Sequence, residues 1–131
     1  MLTVNDIMIN NVSTATAECS VNQIIDQMLD EDVSSLLIVD QNERLIGLVT
    51  ESGLLVAAFD PQLSADPISL HMERRFVSGQ PNEPILQVLE KFLLHRVRHF
   101  PVLDNGRLLG IVTRRELMRA MLGRKIAQNP S

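Results

Sequence analysis

Shifted by 64 positions, the chain aligns with itself. Val4–Asp40 falls on Ile68–Asp104 without a gap, placing Met8 on Met72, Gln23 on Gln87, Leu29 on Leu93, Val33 on Val97 and Asp40 on Asp104. One residue then drops out of a loop, and at an offset of 63 Arg44-Leu45-Ile46-Gly47-Leu48-Val49-Thr50 lies on Arg107-Leu108-Leu109-Gly110-Ile111-Val112-Thr113. Leu54/Leu117 and Ala57/Ala120 continue the match. Two copies of one unit therefore account for nearly all of the 131 residues, and any fold must be compatible with that duplication.

Each copy has the same order of elements. A short extended segment, Val12–Thr14 or Phe76–Ser78, comes first. Ser20 and Gln23 then form a capping-box pattern, followed by Val21, Ile24, Ile25, Met28 and Leu29 at helical spacing. Their counterparts are Ile85, Val88, Leu89, Phe92 and Leu93, with Pro84 at a first helical position. Two apolar strands follow, Leu36–Val39 and Leu45–Val49 in the first copy; in the second the turn is Asp104-Asn105-Gly106-Arg107, whose Asn-Gly pair is a strong hairpin signal. A last helix spans Glu51–Phe59 and Arg114–Leu122, with Pro61 and Gly123 as stops. The predicted class is α/β (α+β), a β-α-β-β-α unit repeated, with residues 1–64 as the first repeat, 65–122 as the second and 123–131 as a polar tail. Residues 60–67 form the linker. Each small sheet has helices on one side only, so the two copies are expected to bury their other faces against each other.

Composition narrows the function. A single cysteine, Cys19, excludes an internal disulfide framework and a Cys-rich zinc site. Neither a membrane-length apolar run nor a signal-peptide pattern is present, and the expectation is a soluble cytoplasmic protein. With no Trp, no Tyr and four Phe, stacking platforms for single-stranded nucleic acid are scarce. The net charge of −4 hides a split: residues 1–64 hold one basic side chain, Arg44, against ten acidic ones, and residues 65–131 hold eleven against six. Such an asymmetry points to a partner or to pairing within an assembly.

The sequence resembles a pair of CBS (cystathionine-β-synthase-type) domains, a Bateman module. The resemblance rests on Val4-Asn5-Asp6-Ile7-Met8, on Arg98-His99-Phe100-Pro101-Val102-Leu103-Asp104, and on Gly47-Leu48-Val49-Thr50 with Gly110-Ile111-Val112-Thr113. It covers about residues 1–122. It implies two repeats packed about a pseudo-twofold axis, commonly a disc-shaped dimer. It also implies adenine-nucleotide or S-adenosylmethionine binding in clefts between repeats, and a regulatory rather than catalytic role.

The candidate ligand residues are Thr113, Glu116, Arg114, Arg115, Arg98, His99, Val77, Ser78 and Thr50. Thr50 and Thr113 stand where a strand gives way to a helix N-terminus, a place suited to phosphate; as plain N-caps they would each contribute about 1 kcal/mol. The family pattern has an Asp three residues after that Thr to grip the ribose hydroxyls. Here Gly53 and Glu116 occupy those positions. Loss of such a charge-assisted clamp weakens binding by roughly ten- to a hundredfold. Thr113-Arg114-Arg115-Glu116 also reads as a capping box that needs no ligand. Arg114 and Arg115 oppose the helix dipole, which a bound phosphate would offset; the alternatives are a solvated basic face or pairing with the acidic half. Val77 and Ser78 lie in the short extended segment of the second copy.

His71 and His95 are too dispersed from His99 for a metal triad, and Cys19 carries no motif. No nucleophile elbow, Gly-rich phosphate loop or paired carboxylates support an enzyme. The expected function is a regulatory module that senses AMP, ADP, ATP or a related adenosyl ligand, has no resident cofactor, and acts on a partner in trans. The alternative is a ligand-free dimeric scaffold with decayed sites, and nucleic-acid binding through the basic half is disfavoured. The charge split favours an antiparallel homodimer.

Overall fold

The computed structural model describes residues 1–128, with side chains as far as Gly123. In chain order the elements are α1 (Val4–Ile7), β1 (Thr14–Ala15), α2 (Val21–Glu31), β2 (Ser35–Val39), β3 (Leu45–Thr50), α3 (Glu51–Ala58), a 3-10 turn (Ile68–Leu70), α4 (Ile85–His95), β4 (His99–Asp104), β5 (Arg107–Thr113) and α5 (Arg114–Gln128). The class is α+β, and the tandem order is present, complete as β-α-β-β-α in the first copy and with its opening strand reduced to a bridge in the second.

The chain condenses into two compact units whose borders are not those of the sequence repeat. One spans Val12–Phe76; the other joins Met1–Asn11 to the chain from Val77 onward. Val4, fully buried, belongs to the core of the second unit with Val88, Phe92, Phe100 and Val112. Ile68, its counterpart 64 positions on, belongs to the core of the first with Ile24, Leu36, Ile38 and Val49. Backbone bonds fix both segments in the same way: Val4 N donates to the Glu83 carbonyl at 2.9 Å and Ile68 N to that of Cys19 at 2.6 Å. Each unit thus borrows the lead-in segment of the next copy or of the chain start. Apolar side chains there gain more by closing a core than by following sequence order.

In the first unit the sheet order is β1-β2-β3, parallel then antiparallel. Ser20 caps α2 reciprocally with Gln23, and the face Val21, Ile24, Met28 is buried. The second unit repeats this with two local differences. Pro84, expected as the first helical residue, is instead the N-cap of α4, and the helix begins at Ile85. The counterpart of β1 shrinks to a single parallel bridge, Gly79 to Val102. Leu37 N donates to the Ser13 carbonyl at 3.2 Å in the first unit, whereas its counterpart Pro101 has no N–H to give, so that rung cannot form. The β4–β5 turn has Asn105 at φ 52° and Gly106 at φ 85°, the paired left-handed conformation that an Asn-Gly hairpin requires.

The last helix does not stop at Gly123. It continues to Gln128, because Gly123 stays outside the left-handed conformation of a glycine stop, at a helix cost of about 1 kcal/mol relative to alanine. Residues 129–131 of the expected tail lie outside the described residues.

Two equivalent strand glycines differ in what presses on them. A Cβ on Gly110 would lie 2.6 Å from the backbone oxygen of Ile9, whereas one on Gly47 would meet the side chain of Met72. Backbone held by the reciprocal Ile9–Ile111 bonds cannot yield; a thioether can. Gly110→Ala should therefore destabilise by about 2 kcal/mol and Gly47→Ala by clearly less. Urea denaturation of the two variants reads the difference, and equal losses would contradict it.

Candidate functional site

Four of the candidate residues, Arg98, His99, Thr113 and Arg114, meet at one end of the β4–β5 pair. His99 opens β4 and is the register partner of Thr113, which closes β5. Arg98 immediately precedes β4, and Arg114 begins α5 with no intervening loop. Two guanidinium groups thereby act on one imidazole. Burial, then Arg98, then Arg114 push the His99 pKa below its ordinary 6.5, so at pH 7 the ring is neutral. A cationic end built this way favours a bound anion, which would relieve the repulsion.

Thr113 and Glu116 form a closed hydrogen-bonded cap. Glu116 is 5% exposed, and its Oε1 accepts from both the Thr113 amide and the Thr113 hydroxyl at 2.8 Å. The same hydroxyl accepts from the Arg115 amide at 3.3 Å. The Thr113 proton is therefore committed to Glu116, and the Glu116 carboxylate to the helix start, where negative charge also complements the dipole. This geometry is that of a capping box.

Other candidates are placed differently. The Arg115 side chain is exposed. Val77 packs against the core of its unit, and the Ser78 carbonyl accepts from Lys91 Nζ at 3.4 Å. Thr50 belongs to the other unit, where its hydroxyl accepts from Gly53 N at 3.2 Å and caps α3. Where the second unit has Arg98-His99 and Arg114-Arg115, the first has Ser34-Ser35 and Glu51-Ser52, so the equivalent place in the first unit lacks these cations.

The second unit also holds a polar cluster that the sequence does not announce. Lys91 bonds both oxygens of Glu83 at 3.0 Å and stands 5.6 Å over the Phe100 ring, tying the loop after β1's counterpart to α4. An eight-residue separation across a helix start carries no local signal for such a pair. His71 Nε2 and Asp66 make a second pair at 2.9 Å in the first unit. Among the described residues no group of three His, Cys, Asp or Glu side chains is placed to hold a metal, and no helix is long and apolar enough to cross a membrane.

The model of the CBS domain family matches twice, over residues 4–60 and 67–123. The chain belongs to the CBS domain family. This CBS pair is 29% identical over 112 residues to the inosine-5′-monophosphate dehydrogenase of Nitrosopumilus maritimus, a match that covers 85% of the chain but only 22% of that enzyme. Among solved structures it is similar to CBSX2 in complex with AMP (TM-score 0.85, 24% identity, 94% of this chain and 98% of that one). It is likewise similar to the CBS domain pair of protein MJ0100 in complex with 5′-methylthioadenosine and S-adenosyl-L-methionine (TM-score 0.81, 25% identity, 94% and 98%). Each neighbour is itself a CBS structure of the same extent, so the tandem arrangement covers nearly the whole chain.

Proposed function

We propose that this CBS pair is a regulatory module, not a catalyst, that takes up an adenine nucleotide by its phosphates at the cationic end of the second unit and acts on a partner protein in trans. The observation that carries the reading is the convergence of Arg98, His99 and Arg114 on one strand end. The AMP complex of CBSX2 and the adenosyl complexes of MJ0100 support the ligand class. Charge then selects within that class. AMP, ADP and ATP bring negative phosphates to the arginines, whereas S-adenosylmethionine brings a sulfonium cation that they repel. Ligand binding would act by shifting the populations of existing conformations.

The second reading, a scaffold without ligand, is favoured by one observation: the carboxylate in the ribose-clamp position is held by the helix cap in the second unit, and Gly53 replaces it in the first. Thermal unfolding followed by circular dichroism, with AMP, ADP, ATP and S-adenosylmethionine in turn, separates the two. A nucleotide at a hundred times its dissociation constant stabilises by about 2.7 kcal/mol and raises the midpoint by several degrees. The effect should grow from pH 7.5 to pH 6, because a phosphate favours the protonated form of His99 and binding then takes up a proton. Without ligand the sign reverses. The His99 pKa is depressed in the folded state, so the unfolded chain protonates first and stability falls as pH drops through 6.5. No shift with any nucleotide at millimolar concentration would leave the scaffold reading.

A further inference from the structure

The helices α2 and α3 leave an apolar groove of about 380 Å³ open on the first unit, lined by Met28, Leu29, Leu54 and Leu55 with Asp32 and Glu51 among them. Leu54 is buried, whereas Leu29 is 74% exposed and Leu55 57%. The two carboxylates mark one end of the groove. Asp32 is the C-cap of α2 and Glu51 the first residue of α3, and the Glu51 amide donates to the Ser34 carbonyl at 3.1 Å. Asp30, Glu31 and Asp32 also crowd the negative end of the α2 dipole, with no basic residue in the last turn. Among the described residues none of these four carboxylates takes part in a salt bridge. Neither helix carries a cation, and Val12–Phe76 holds eleven acidic side chains against three basic ones.

Exposed apolar side chains gathered along a groove mark an interaction surface, and the uncompensated charge says what fits it. An occupant must be apolar along its length and cationic at one end. An amphipathic helix meets both conditions, with leucine-like side chains at i, i+3, i+4 and i+7 and Lys or Arg in one terminal turn. Those cations relieve the repulsion among the carboxylates, while an acidic helix would add to it. The second unit has Arg96 and Arg114 at the positions of Asp32 and Glu51, so it repels the same helix. We propose that the α2/α3 groove is the docking site for a basic amphipathic helix of the partner protein. The proposal rests on the reading of this chain as a module that acts in trans, and it supplies the chemistry of the partner. It leaves Arg98, His99 and Arg114 free for the nucleotide.

The probe is a fluorescein-labelled, alanine-rich peptide of about 18 residues, long enough to be helical alone, with one leucine stripe and lysines in its last turn. A second peptide has glutamines for the lysines and is matched in helicity by circular dichroism. Fluorescence anisotropy at low salt should show the lysine peptide binding about tenfold more tightly than the glutamine peptide. With Asp32→Asn and Glu51→Gln combined, that preference should fall to within about twofold. Asparagine keeps the left-handed cap at position 32, φ 53°, so the variant retains its fold. Leu29→Ser with Leu55→Ser changes only exposed side chains and should weaken both peptides. Failure of both peptides to bind, equal binding of the two, or a preference that survives the carboxylate variant would each overturn the proposal. So would sedimentation showing that Leu29→Ser with Leu55→Ser turns a dimer into monomers, since a second copy would then cover the groove. Thermal unfolding of the same proteins with ATP keeps the two readings apart. Stabilisation by ATP without peptide binding removes the docking site alone; peptide binding without any nucleotide effect supports the docking site and removes the nucleotide.

Discussion

Phe100→Ala should cost about 3–5 kcal/mol of folding free energy, a large share of the stability of a chain this size. Phe100 is fully buried in the second-unit core, with the Phe92 ring 5.6 Å from its own and Lys91 over its face. The backbone is shaped around the ring on the remaining side: a Cβ on Gly79 would lie 2.5 Å from its Cε2 and Cζ atoms. Two consequences follow. Gly79→Ala alone should destabilise by overpacking, about 1–3 kcal/mol. In the Phe100→Ala background the same change should cost nothing or recover stability, because the added methyl enters the space the ring left. Denaturant unfolding of the four proteins measures this coupling, and additive losses would show that Gly79 and Phe100 do not share that space.

Removing both Arg98 and Arg114 should lower nucleotide affinity by a hundredfold or more. A hydrogen bond to a charged group contributes about 1.5–3 kcal/mol, and each 1.4 kcal/mol is a factor of ten. Removal of the two cations also relieves His99, whose pKa should rise, so the imidazole signals in an NMR titration move toward higher pH. Glu116→Gln makes the contrast. The amide oxygen still accepts from Thr113, so the cap persists, and affinity should stay within about threefold of the parent. A tenfold loss in Glu116→Gln, with the arginine variants unaffected, would return the carboxylate to a ribose clamp and remove the cationic end from the mechanism.

Much of the fold was legible because its signals are local. Ser20 and Gln23 lie three residues apart and satisfy each other's backbone partners, as that spacing predicts. Asn105-Gly106 takes the two left-handed conformations that few other residue pairs accept. The start of α5 at Arg114 and that of α3 at Glu51 follow from a threonine N-cap at a strand end. Less was legible where the decision involved distant residues. Gly123 looked like a stop, but a stop also needs a chain that turns away, and here the helix runs on. The short helix at Val4–Ile7 and the 3-10 turn at Ile68–Leu70 carry no periodic pattern of their own; they form where Val4 and Ile68 lock into a core.

The site divides in the same way. The list of cations, Arg98, His99, Arg114 and Arg115, came from residue type and position beside a strand end. Their roles did not. The capping box written in Thr113-Arg114-Arg115-Glu116 admitted two uses for Glu116, and the buried carboxylate bonded to Thr113 N and Oγ1 shows which one the fold makes. Lys91 and Glu83, eight residues apart, are joined only because a helix and a loop meet at Phe100.

By itself, then, the sequence determined the duplication, the order of elements, their caps and turns, and the opposite charge of the two halves. Each of these depends on neighbours within a few residues or on counting. Tertiary structure alone decided that Met1–Asn11 completes the unit begun at Val77, that the strand before Pro101 shrinks to one bridge, and that α2 and α3 leave an apolar groove open beside Asp32 and Glu51. The physical reason is that closing a core is a competition among segments far apart in the chain. The winner is set by the apolar area it buries and the backbone bonds it completes, and neither quantity is written in any one stretch of residues.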